Sequence, residues 1–100
     1  MYKEILEKHS VEQTAEFTLS ILTYEVGKLH QIKVYKERFG TAGFIGDEEI
    51  ELGDTITMAR LLAEQKGYDL PKLEREGLAR FDKRISEVKK AEIEKRYGDR

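Results

Sequence analysis

Cysteine and tryptophan are absent from this 100-residue chain, and proline occurs once. Without cysteine there is no disulfide, no thiolate zinc site and no cysteine nucleophile. No stretch approaches the roughly 18 consecutive apolar residues that read as a membrane span. The N-terminus also lacks the charged-then-apolar pattern of a secretory signal. The expected location is therefore the cytoplasm, with no membrane partner. Basic charge is not in excess either: 18 Lys and Arg stand against 20 Asp and Glu, for a net charge of −2 and a pI near 5.8. Nucleic-acid binders carry a basic footprint, so no nucleic-acid partner is expected.

What the chain does have is charge on both signs and residues that favour helices. Charged residues make up 38% of the sequence, against roughly 25% in an average soluble domain. The 39% hydrophobic content suffices for one modest core, so residues 1–100 are read as one all-α domain.

The glycines and the proline divide it. Residues 2–8 are read as a short helix of two turns. Ser10, three before Gln13, has the arrangement of a capping box opening a helix. Ala15, Leu19, Leu22, Val26 and Leu29 then recur at spacings of four, three, four and three, the period of a helix with one buried stripe. These signals predict a first long helix over residues 11–35. Glycines 40, 43 and 46 interrupt it, with Phe39, Phe44 and Ile45 among them. Asp47 is placed to cap a second helix, Glu48 and Glu49 suit its positive end, and Ile50, Leu52, Ile56, Ala59 and Leu62 carry it to Lys66-Gly67. Asp69 and Pro71 open a third, along which Leu78, Phe81, Ile85 and Val88 repeat before a solvated, charged end that frays near Gly98. Three such helices bury a core marginally when alone. The expected architecture is therefore an oligomeric helical bundle, a homodimer or homotetramer.

Glu51 and Asp54 lie three apart on the second long helix, hence on one face. Two carboxylates so placed suit a hard divalent cation such as Mg²⁺. An acid-rich chain also produces such pairs by chance. Glu25 sits among apolar residues of the first helix, with Lys28 three residues on; a local ion pair on an exposed face is the plainer reading. Gly27 and Gly53 each lie beside a candidate ligand, at about 1 kcal/mol relative to Ala in a helix interior. Close approach of the two helices would explain both glycines and would set Glu25 opposite Glu51 and Asp54; chance placement is the alternative. The two histidines, His9 and His30, lack metal-ligand spacing, and Gly27-Lys28 lacks the other residues of a phosphate-binding loop. Tyr24, Tyr35, Phe39 and Phe44 are candidates for a base-binding pocket or, alternatively, for packing.

The segments Tyr24-Glu25-Val26-Gly27-Lys28-Leu29 and Ile50-Glu51-Leu52-Gly53-Asp54 resemble the paired E-x-x-E and E-x-x-D motif of MazG-type all-α nucleoside triphosphate pyrophosphohydrolases. The stretch from Leu78 to Val88, with Arg80, Phe81, Lys83 and Arg84, is similar to the basic helix that follows the second motif in that family. The resemblance implies a helical bundle assembled as a dimer or higher oligomer. It further implies Mg²⁺ held by Glu25, Glu51 and Asp54, phosphate contacts from Arg80, Lys83 and Arg84, and hydrolysis of a nucleoside triphosphate to monophosphate and pyrophosphate. In that chemistry the metal polarises phosphate oxygens and helps generate the attacking hydroxide.

Lys28 departs from the family pattern, which has a second glutamate there. The swap takes the four-residue set from a formal −4 to −2. Either the ammonium stands in for a second cation and touches phosphate, or the site is degenerate and the chain is a nucleotide- or metal-binding interaction module. Glu48, one turn before Glu51, is a substitute ligand by position. A ligand-free structural oligomer is the remaining class.

Overall fold

The computed structural model describes residues 1–43 and 46–98, and among these every regular element is an α-helix. They are α1 (Tyr2–Lys8), α2 (Ala15–Phe39), α3 (Glu48–Gln65) and α4 (Leu70–Tyr97). The chain divides into two units, residues 1–68 and residues 69–100. No helix among the described residues is long and apolar enough to cross a membrane.

The start of α2 corrects the expected boundary. Ser10 does not cap it; Ser10 ends α1, adopting a left-handed φ of 54°. Its N–H donates to the Glu7 carbonyl and that of Val11 to the Leu6 carbonyl, at 3.1 and 2.9 Å, which is the bonding pattern of a Schellman termination. Residues 11–14 are therefore a connector. Thr14 is the N-cap, its Oγ1 accepting from the Phe17 N–H at 3.1 Å. The Gln13 amide, assigned to the capping box on spacing, donates instead to Thr18 Oγ1 at 2.8 Å. At the other end α2 runs four residues past the expected stop, to Gly40 at φ 80°.

The later boundaries match the sequence signals. Asp47 Oδ1 accepts from the N–H groups of Glu49 and Ile50, opening α3. Gly67, at φ 72°, closes it, with the Tyr68 N–H on the Ala63 carbonyl. Asp69 Oδ1 accepts from the Lys72 N–H, with Pro71 in the first turn of α4.

In the first unit α2 and α3 form an antiparallel pair, because partners pair in reverse order along the chain. Lys36 meets Glu48, Lys28 meets Glu51, and the Gln65 amide donates to the Gln13 carbonyl at 2.7 Å. α1 docks on α3, where the Glu64 carboxylate accepts from the backbone N–H groups of Tyr2 and Lys3 at 3.1 and 2.8 Å. A carboxylate from a neighbouring helix thereby satisfies two of the free donors of α1, whose N-cap residue makes no side-chain capping bond.

The inward faces of α2 and α3 differ from the stripes read by period. Leu19 and Val26 are about half exposed, at 51% and 50%, while Thr18 and Ile32 are fully buried. On α3, Ile50, Leu52 and Ile56 face outward, and Glu51, Leu61 and Ala63 are buried. Both helices carry apolar residues around much of their circumference, so periodicity alone did not select the face. The selected face carries polar groups, and this creates the site. Gly27 and Gly53 are corrected too: a Cβ at either would meet no atom within 4 Å, so neither marks close helix approach within the unit.

The second unit is α4, a single helix of 28 residues, hence about 42 Å long. None of its residues is buried, and Leu78, Phe81, Ile85 and Val88 are exposed along it.

Candidate metal centre

Glu51 is the centre of the arrangement. Asp47 starts α3 at a position that brings Glu51, in the first turn, onto the face opposing α2. Only 6% of the residue is exposed. The Lys28 ammonium reaches across from α2 to Glu51 Oε1 at 2.6 Å. Lys28 also lies 5.8 Å from the centre of the Tyr24 ring, one turn earlier on its own helix, where a cation on an aromatic face is held favourably.

Glu25 and Asp54 complete the group. One carboxylate oxygen from each of Glu25, Glu51 and Asp54 can be chosen so that all lie within 4.8 Å of one another. Burial grades across them, from buried Glu51 through half-buried Glu25 to exposed Asp54. Glu25 Oε2 and Glu51 Oε2 are both buried, and with both groups ionised neither has a hydrogen-bond partner. An anionic oxygen removed from water without a donor is unfavourable, so the pair calls for a shared proton or a cation.

The charges respond accordingly. Glu25 is raised from its ordinary value by hydrogen bonding to Glu51, by burial, and by the negative charges of Glu51 and Asp54, which outweigh the opposing Lys28. Glu51 is lowered, first by the Lys28 ammonium and then by the hydrogen bond with Glu25, against the effect of burial. Lys28 is raised, chiefly by its hydrogen bond to Glu51.

The donor set fits a hard divalent cation. All three groups offer oxygen, the donor type that hard divalent cations take, and a spacing within 4.8 Å is of the size spanned by oxygens around one such ion. Glu48, the positional substitute, does not join them: its Oε2 pairs with Lys36 at 2.9 Å on the exposed surface. The plain reading of Lys28 as a partner for Glu25 on one helix also gives way, because its ammonium bonds across the helix pair to Glu51.

Arg80, Lys83 and Arg84 lie exposed on α4, where spacings of three and four put them on one face of that helix. Tyr35 and Phe39 stack with ring centres 5.4 Å apart. Tyr24 lies eleven residues before Tyr35 on the same helix, about 16 Å along the axis, so it does not form one pocket with that pair. Phe44 lies outside the described residues. His9 and His30 are exposed. Pairing of Lys28 with Glu51 was missed at the sequence level; an i to i+3 spacing pointed to Glu25, and only the antiparallel register reveals the longer-range partner.

Comparison with known protein families, curated proteins and solved structures returns no match.

Proposed function

We propose that the chain is a Mg²⁺-dependent nucleotide pyrophosphohydrolase of the MazG type, cleaving a nucleoside triphosphate to the monophosphate and pyrophosphate. The observation that carries this reading is the convergence of Glu25, Glu51 and Asp54, with buried, donor-free oxygens on the first two. Motif resemblance names the same three residues, and their convergence comes from two helices 26 residues apart at Glu25 and Glu51.

In this reading the three carboxylates hold Mg²⁺, which supplies Lewis acidity at phosphate oxygens when bound. Water adds across the α–β phosphoanhydride bond, which breaks to give the nucleoside monophosphate and pyrophosphate. Lys28 holds Glu51 in place through Oε1 and presents its remaining N–H donors to a phosphate oxygen. The motif resemblance also names Arg80, Lys83 and Arg84, on one face of α4, as phosphate contacts, where guanidinium groups pair with phosphate bidentately. Exposed Leu19, Val26, Leu52 and Ile56 support assembly into a homodimer or homotetramer.

The test is pyrophosphate release from a panel of nucleoside triphosphates, with Mg²⁺ and with excess chelator. Metal-dependent release that Glu51→Ala abolishes supports the reading; release unaffected by that substitution removes it.

A second reading is favoured by the 2.6 Å bond between Lys28 and Glu51, which gives a central ligand a resident counter-charge. The chain is then a non-catalytic relative that binds nucleotide or metal as an interaction module. Strong activity appearing only in Lys28→Glu supports this reading, whereas reduced activity in that variant supports participation of Lys28.

A further inference from the structure

We infer that Lys28 occupies the place of a second metal ion, so that the centre takes up one divalent cation per chain and keeps the ammonium as its second positive charge. This rests on the metal reading above and specifies it.

A carboxylate that bridges two cations gives one oxygen to each. Glu51 is divided in just this manner. Its Oε1 is bonded to the Lys28 ammonium at 2.6 Å, while its Oε2 is buried and has no donor. The free oxygen belongs to a side chain more than nine-tenths buried, and that carboxylate contributes one oxygen to the group formed with Glu25 and Asp54. Glu25 contributes a second buried oxygen with no donor. Glu51 thus has one oxygen committed to an ammonium and one without a donor, in a carboxylate that also meets Glu25 and Asp54.

Charge leads to the same stoichiometry. Three carboxylates and one ammonium leave a net −2, which one divalent cation neutralises. A second would bring the centre to +2 in a partly buried environment, where like charges at short range repel strongly. It would also have to displace Lys28 from Oε1. Two-metal phosphoryl-transfer sites place their ions about 3.5–4 Å apart to hold both the attacking and leaving oxygens. Here an ammonium on a flexible stem takes one of those places. The Lys28 side chain retains 28% exposure, enough for an incoming anionic oxygen to reach it.

The experiment counts ions on the intact chain by titration with Mn²⁺, reading free Mn²⁺ by electron paramagnetic resonance, and repeats the count with Mg²⁺ by calorimetry. Wild type is expected to bind one ion, and Lys28→Glu two. Lys28→Met guards against misfolding of the four-carboxylate variant. It is expected to bind one ion at least about tenfold more tightly, because a positive charge has been removed from beside the ion. Two ions on the wild type, a single ion on folded Lys28→Glu, or unchanged affinity in Lys28→Met overturns the inference while leaving the metal reading standing. No ion on the wild type overturns both.

Discussion

Glu25 and Glu51 meet across the α2–α3 pair, and their carboxyl groups are pushed in opposite directions, Glu25 up and Glu51 down. The asymmetry comes from Lys28, whose ammonium bonds Glu51. An acid raised in the folded state binds its proton more tightly there than in the unfolded chain. Its contribution to stability therefore falls as pH rises from the ordinary value of 4.5 to the raised one. Glu25→Gln should accordingly raise Tm by a few degrees at neutral pH in chelator, with the gain disappearing below that ordinary value. Thermal melts across pH check this; a lower Tm at neutral pH would contradict it. On the proposed metal reading, Mg²⁺ should raise the Tm of the wild type and this variant should lose most of that gain, since ligands of the folded state stabilise by mass action.

Glu64 links α3 to the start of α1. Burial acts to raise its carboxyl, but the backbone N–H groups of Tyr2 and Lys3 and the N-terminal ammonium together prevail and hold it below the usual value. For a lowered acid the sign reverses: its stabilisation is present above the unfolded value and is lost as pH falls through the folded one. Hydrogen exchange should therefore show α1 losing protection in acid before α2 and α3 do. In Glu64→Gln, α1 should be less protected at neutral pH and show little further acid response.

Gly27 and Gly53 lie in helix interiors with open space where a Cβ would be. Gly27→Ala and Gly53→Ala should each stabilise the chain by about 0.5–1 kcal/mol, chiefly by reducing unfolded-state freedom. Urea unfolding at several protein concentrations provides the measurement. A loss of stability that depends on concentration would instead mean that a second copy packs against these positions.

Ser10 and Gly67 hold equivalent places after α1 and α3, each left-handed and each followed by a residue whose N–H reaches back into the helix. Left-handed backbone costs an L-residue roughly 1–2 kcal/mol, which glycine avoids. Gly67→Ala should therefore lower stability by about 1 kcal/mol, and Ser10→Gly should raise it by a fraction of that. Equal effects of the same sign in denaturant unfolding would refute the assignment.

Much of the architecture was legible where a local signal acts alone. Asp47, Asp69 and Pro71 announce helix starts because a short acceptor or a fixed φ serves the first turn of any helix. Gly67 announces an end for a similarly local reason. Ser10 and Gln13 misled because the capping-box spacing also occurs where a serine terminates the previous helix. The span of α1 itself, residues 2–8, was legible; what the spacing did not separate was a serine that terminates one helix from a serine that caps the next.

By itself, then, the sequence determined an all-α chain, the spans of α1, α3 and α4, and the identity of three acidic candidates. Each depends on residues a few positions apart or on a motif. Tertiary structure alone decided which face of α2 and α3 turns inward, because apolar side chains on several sides leave that choice to the pairing of the helices. That choice buried Glu51 while leaving Leu52 and Ile56 outside. It brought Lys28 to Glu51 across a separation of 23 residues, and made a carboxylate cluster of Glu25, Glu51 and Asp54. Helical spacing places neighbours within one helix; only the antiparallel register sets which charges meet between two.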